Sequence, residues 1–282
     1  MSDTLPLNEL NVHDVLIGLV DKCVSEKDVG ISLSSGIDSA SVLFALLECG
    51  KNVTVYSFTM ADNESRDFKE AKDIAKKLDL MFVPVYLPRS INSLKTDCLR
   101  LHRVYGCVKK TDYICTWPYL YLTSAVGESV LATGMAADGH FVISKKAMIH
   151  YKDKPEEFRK QYFSNPTRCQ LPFRTKLAKE NHIRLFEPYL ETEMYDYLLH
   201  STWIECNRPK QKMPIRRAFP DMYSRYGIKI HNHTNFQLGD SGISEHFGAL
   251  LDTDWNTHNY KSVVGIFNAV NRGELNGRRK LI

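Results

Sequence analysis

Ser34-Ser35-Gly36-Ile37-Asp38-Ser39 sets three hydroxyls, a glycine and one carboxylate within six residues, after the apolar stretch Val29–Leu33 and before a second apolar run. A strand that turns through such residues into a helix presents several backbone N–H groups to one point, with the positive end of the helix dipole behind them. That arrangement suits a phosphate. Asp38 does not suit it unless a divalent cation such as Mg²⁺ stands between carboxylate and phosphate. A competing reading is an ordinary strand–turn–helix in which Ser and Asp act as caps. A second small-residue turn, Gly134-Met135-Ala136-Ala137-Asp138-Gly139-His140, carries another Asp. Lys210–Arg217 is a basic cluster. Its bland reading is a solvated face.

The elements that must position these residues follow from periodicity. Apolar residues at helical spacing predict a helix over 9–25, a strand at 29–33 and a buried helix over Ala40–Cys49 that stops at Gly50. Val53–Thr59 reads as a second strand, Glu64–Leu80 as a helix, and Met81–Tyr86 as a third strand. Strand–helix–strand–helix–strand over about 60 residues is the signature of a doubly wound parallel α/β sheet, whose ligands bind at the carboxyl ends of the strands. Ser90–Val104 reads as a helix, Trp117–Gly127 as a helix starting at Pro118, and Ser129–Gly134 as a further strand. Beyond it the pattern becomes polar and basic: helices over 145–180 broken at Pro155 and Pro166, another at Glu191–Ser201, loops from Pro220, and a last helix at Val263–Asn271. The simplest division is a nucleotide-binding core over 1–144 and a mostly helical part over 145–282.

Composition sets the class. The 282 residues are 43% hydrophobic and 25% charged with a net charge of +4, which excludes a disordered chain and is compatible with an anionic substrate. No apolar run reaches the roughly 18 residues of a membrane span, and the first residues lack a secretory pattern. Seven Cys without a C-x-x-C pair predict reduced thiols and a cytoplasmic location rather than zinc or disulfides. His231, His233, His246 and His258 lack the spacing of a metal cluster.

The Ser34–Ser39 run resembles the S-G-G-x-D-S pyrophosphate loop of the N-type ATP pyrophosphatases (the PP-loop, adenine nucleotide alpha hydrolase-like group), with Ser35 in place of the first Gly. Further segments resemble the asparagine synthetase branch in order and approximate spacing. They are Ser57-Phe58-Thr59 with Glu64, Ala71 and Ala75; Thr133-Gly134-Met135-Ala136-Ala137-Asp138 against S-G-x-G-x-D; Glu187-Pro188-Tyr189-Leu190-Glu191 against P-F-L-D; and Lys212–Ala218 against K-x-x-L-R-x-A. The resemblance covers roughly residues 10–220. It implies an ATP-dependent ligase that converts a carboxylate to an acyl-adenylate, releases pyrophosphate, and passes the acyl group to an amine or ammonia. It implies phosphate contacts from Ser34, Ser35, Gly36, Ile37, Asp38 and Ser39. Adenine would lie on backbone near Tyr56, Ser57 and Phe58 and near Thr133 and Gly134. Asp38 and Asp138, at adjacent strand ends, would hold Mg²⁺. Lys212 matches the catalytic Lys, Arg216 would lie one helical turn on and reach pyrophosphate, and Glu187 is a weaker candidate for the base.

Two departures shape the expected reaction. Residue 2 is Ser and 28 residues precede the first strand, so no glutaminase part is expected, and ammonia or an amine would come from outside. Met135 stands where asparagine synthetases carry an acid, so the base would be Glu187, His140 or the substrate itself. A product other than free asparagine is therefore expected. Tyr151, Tyr162 and Arg168 are candidates to line an acceptor site. One alternative is an ATP-using enzyme of the same group that modifies a nucleobase in tRNA or DNA, to which the basic 145–184 segment is suited. Another is a degenerate nucleotide-binding module. The carboxylate, the nucleophile and the oligomeric state are not legible, and Asp221–Ile282 matches nothing recognisable.

Overall fold

The computed structural model describes residues 11–34, 36–228 and 240–275. Asn11 caps α1 (Val12–Cys23), accepting the Asp14 N–H while the Asp14 carboxylate accepts the Asn11 N–H. Strand β1 (Asp28–Ser32) leads through the 33–36 loop into α2 (Ile37–Glu48), which is buried along most of its length. Then come β2 (Asn52–Met60), α3 (Arg66–Lys77) capped by Ser65, and β3 (Met81–Leu87). Ser90 caps α4 (Ile91–Arg103). Helix α5 spans Lys110–Ala125, seven residues longer at its start than Trp117–Gly127 suggests. Pro118 lies inside this helix rather than at its first turn. The true start is fixed by the Asp112 carboxylate, which accepts the Lys109 N–H at 2.9 Å.

Strand β4 (Val130–Thr133) runs into the one-turn α6 (Ala137–Phe141). Helices α7 (Lys145–Tyr151) and α8 (Pro155–Ser164) follow, the second opening on Pro155. Helix α9 (Leu171–Glu180) leads to β5 (Arg184–Phe186), then α10 (Thr192–Leu199), α11 (Trp203–Asn207) and α12 (Met213–Ala218). The region expected to be loops from Pro220 contains α13 (Pro220–Arg225) and α14 (Ile243–Gly248), single turns too short for periodicity to reveal. The last helix, α15 (Val263–Asn271), has the expected bounds.

The five strands form one parallel sheet in the order β3-β2-β1-β4-β5. The sheet draws its fifth strand from beyond residue 144, because β5 pairs with β4 through Ala132 and Phe186. The chain winds outward from β1 to β3 and returns on the other side of β1 at β4. The crevice between β1 and β4 is thus the topological switch point, where open α/β sheets take ligands. Two cores cover the two faces. On one, α1, α2, α10 and α12 pack over Val29, Ile31, Val53 and Val55. On the other, α4, α5, α14 and α15 pack over Tyr56, Val85 and Leu131, with Tyr113 stacked on Phe267 at 4.2 Å. No helix among the described residues is long and apolar enough to cross a membrane, and none of the seven cysteines is in a disulfide.

Candidate active site

The switch-point crevice is built from two turns held back to back. Gly134, just after β4, lies directly on the first turn of α2. A Cβ added there would stand 2.5 Å from the Asp38 carbonyl carbon and 2.5 Å from the Ser39 nitrogen. Only glycine permits this approach, and it sets the spacing between the two loops. Ser39 fixes the loop after β1: its hydroxyl accepts the Ser34 N–H at 3.2 Å and lies 3.1 Å from the Ser34 hydroxyl. The Ser34 hydroxyl accepts the Gly36 N–H at 3.1 Å. These hydroxyls therefore shape the cradle. Ile37 is buried in the first core. Ser35 lies outside the described residues.

Asp38 and Asp138 converge on one cation. The Lys212 ammonium lies 2.6 Å from the Asp38 Oδ2 and 2.5 Å from the Asp138 Oδ1, and the Lys212 side chain is only 4% exposed. Burial lowers the pKa of Lys212, but the two carboxylates outweigh it and hold the amine above its ordinary range, so it stays charged. Lys212 caps α12 with φ +59°, in left-handed backbone. It is not part of the helix, and the one-turn spacing to Arg216 therefore does not put both on one face. The Arg216 Nε instead donates to the Gln211 carbonyl at 2.7 Å on the surface. Beneath Asp38, Ser41 donates to the Asp38 carbonyl at 2.8 Å and is 2.7 Å from the Tyr189 hydroxyl. Burial, then the Asp38 charge, push the Tyr189 and Tyr223 phenols far up, so both are neutral.

The other side of the 133–138 turn holds a second polar group. The Thr133 hydroxyl donates to Glu187 Oε1 at 2.9 Å and accepts the Met135 N–H at 3.2 Å. Glu187 Oε1 also pairs with Arg174, which is 1% exposed and lies over the Tyr119 ring at 5.4 Å. Glu187 is thus bound to a buried guanidinium and to Thr133, and its place is to fix the end of β4. Arg174 Nε donates to the Cys169 carbonyl at 2.8 Å, and the Cys169 thiol is 2.7 Å from the Tyr162 hydroxyl. The Tyr162 ring covers Gly139, where a Cβ would overlap it.

His140 is fully buried; Nε2 meets the Tyr189 carbonyl at 2.8 Å, and burial holds its pKa down to about 3. A sealed ring cannot take a proton from a substrate, so His140 supports α6. Its own carbonyl accepts from Arg159, buried by desolvating contacts and bonded also to the Leu199 and Ser201 carbonyls. Arg159 and Arg174 count toward the basic 145–184 segment in the sequence, but both are buried and so add nothing to a basic surface; a buried Arg in a polar helix reads like an exposed one.

The proposed adenine contacts fall on the inner strands β2 and β4. The β1–β2 register ends at Ser32–Tyr56, and the Tyr56 carbonyl accepts the Leu33 N–H at 2.9 Å. The Tyr56 hydroxyl donates to Glu128 at 2.8 Å, at the opposite end of the sheet from the cradle. Ser57 and Phe58 continue β2 past that register, alongside the loop. His231 and His233 lie outside the described residues. His246 packs its ring near Trp117, and His258 bonds to Thr257. Among the described residues, no group of three or more His, Cys, Asp or Glu forms a metal site. The Asp38–Asp138 pair nevertheless fits a cation, since the two carboxylates already share one.

The chain is similar to the following known proteins. A solved structure of a predicted subunit of tRNA methyltransferase from Methanocaldococcus jannaschii is 16% identical, with a TM-score of 0.34, over 70% of this chain and 89% of that one. The U34-tRNA thiolase NcsA from Methanococcus maripaludis, solved with its 4Fe–4S cluster, is 14% identical, with a TM-score of 0.38, over 92% of this chain and 76% of that one. No curated protein matches the chain. Residues 11–90, which carry the cradle and the first three strands, match the model of the asparagine synthase family.

Proposed function

We propose that the protein binds ATP across the β1–β4 crevice, activates a carboxylate as an acyl-adenylate, and transfers the acyl group to an amine or ammonia. The observation that carries this reading is the meeting of Asp38, Asp138 and Lys212 at the N-terminus of α2, beside the 34–39 cradle. In the first step a carboxylate oxygen attacks the α-phosphorus and the bond to pyrophosphate breaks. In the second the amine nitrogen attacks the acyl carbon, AMP leaves with the C–O electrons, and the nitrogen gives up a proton. Negative charge gathers on the departing pyrophosphate and then on the acyl oxygen.

The α2 N–H groups and the loop hydroxyls receive the phosphates, and Lys212 neutralises the developing charge from a site shielded from water. Asp38 and Asp138 would hold Mg²⁺, which supplies charge neutralisation on the phosphate oxygens. Glu187, held by Arg174 and Thr133, positions the 133–138 turn; the departing proton is left to the substrate or solvent. The basic 145–184 segment favours a second reading, in which the attacking oxygen belongs to a nucleobase carbonyl rather than a carboxylate.

The test is a pyrophosphate-release assay with Mg-ATP over a panel of carboxylates, nucleosides and amines. Carboxylate-dependent pyrophosphate and AMP, lost in Asp38→Asn and Asp138→Asn, is the expected outcome. Release of orthophosphate and ADP would overturn the adenylation mechanism. Pyrophosphate release that depends on a nucleoside instead would replace the carboxylate reading with the second one.

A further inference from the structure

Basic charge is concentrated on one face next to the site. Residues 145–160 and 203–217 hold eleven basic and four acidic side chains; Arg159 and Lys212 are buried, which leaves nine basic side chains for the surface, whereas the whole chain is only +4. Most surface lysines that carry an acid partner are neutralised locally, as in Lys77–Asp73, Lys154–Glu157 and Lys160–Glu156. Lys145, Lys146, Lys152, Arg208 and Lys210 are exposed and have no acidic partner among the described residues.

Two of these cations are arranged on an aromatic ring. The Lys152 ammonium is 5.0 Å from the Trp203 ring centroid and the Arg208 guanidinium 5.7 Å. The ring is itself fixed, because its indole N–H donates to the Val142 carbonyl at 3.3 Å, one residue past α6. Ile149 on α7 and Ile204 on α11 are 68% and 65% exposed. Trp203 thus fixes two unneutralised cations, and with Lys145, Lys146 and Lys210 they offer a cluster of phosphate contacts of the kind that holds single strands.

The face is continuous with the site. Helix α7 begins seven residues after Asp138, and the segment from Arg208 leads to Lys212. Asn207 ties α11 to α6 by donating to the Phe141 carbonyl at 2.8 Å. Lys145 and Lys152 stand about 10 Å apart along the helix axis, roughly three stacked nucleotides of one strand.

We propose that the α7–α11 face binds single-stranded nucleic acid and delivers one of its nucleotides to the crevice as the group modified. Strand binding stands on this surface alone; delivery rests on the second reading above, in which the activated oxygen belongs to a nucleobase.

The experiment is fluorescence anisotropy of labelled 20-mers of dT and U against the full chain, without ATP, over a salt series. Three phosphate contacts give a slope of log affinity on log salt of about −2. The double variant Lys152→Gln/Arg208→Gln is expected to bind at least fivefold more weakly, with a slope flatter by about 1.4. The control Lys69→Gln/Lys72→Gln, on the exposed face of α3, is expected to bind as the parent does. Thermal melting checks that both variants fold, and the loss of oligonucleotide quenching in Trp203→Phe gives an independent readout. Three results would each overturn the proposal: no strand binding at low salt, equal weakening by the α3 control, or tighter binding to phosphatidylserine vesicles than to either oligonucleotide. Strand binding without pyrophosphate release would sink the reaction and leave the surface standing.

Discussion

Lys212 is the residue on which the site's charge balance turns. Two carboxylates reach its ammonium, at 2.6 and 2.5 Å, in a setting from which water is largely excluded. Lys212→Met would leave them facing each other, within about 5 Å, with no cation between. We expect adenylation to be abolished and the fold to lose about 2–3 kcal/mol, less than a fully buried pair because Asp138 is partly exposed. Mg²⁺ should raise the melting temperature of the variant more than that of the parent; equal shifts would refute the shared-cation account. His140 makes a prediction of opposite kind. Its ring stays neutral in the folded protein down to about pH 3, whereas in the unfolded chain an imidazole takes up its proton near pH 6.5. Stability from this residue is complete above pH 6.5 and is lost as the pH falls toward 3, by roughly 2–4 kcal/mol. His140→Phe should flatten the fall in unfolding free energy across that window, read from urea titrations at stepped pH.

The elements show which signals sequence carries and which it does not. The 34–39 loop was legible because its hydroxyls, glycine and carboxylate are contiguous, and α15 because its apolar spacing is uninterrupted. Helix α5 was misjudged at its start because Pro118 looked like a first-turn residue, while the actual cap is Asp112 bonding back to Lys109. The Lys212–Arg216 pairing failed for a conformational reason: a left-handed cap breaks the helical register that spacing assumes. Glu187 reads in the sequence as a possible base, yet its partners Arg174 and Thr133 lie 13 and 54 residues away, so its engagement appears only on folding. Gly134 was legible as part of a turn, but its purpose was not. Gly134→Ala should push the β4 turn off α2, costing about 2–3 kcal/mol and raising the apparent Kd for ATP at least tenfold by equilibrium binding. Unchanged affinity would mean the two loops are set by something other than this contact.

At the scale of the whole molecule, the sheet is the frame and the cores are its two coverings. The parallel order and the switch point follow from the alternation of strands and helices, and this much was readable from periodicity. The contribution of β5 was not, since three residues give no alternation to read. The basic α7–α11 face was visible only as composition; Trp203, by holding Lys152 and Arg208, turns it into a surface. Remote packing such as Tyr113 on Phe267 covers the second face without touching the crevice.

The Asp38–Lys212–Asp138 clasp joins three points separated by 100 and 74 residues of chain. Closing loops of that length costs entropy that only a nearly finished fold can repay. On the reading proposed above, a chain that ended before residue 212 would therefore lack the charge that completes the cradle. The contact that balances the site would then also time its completion.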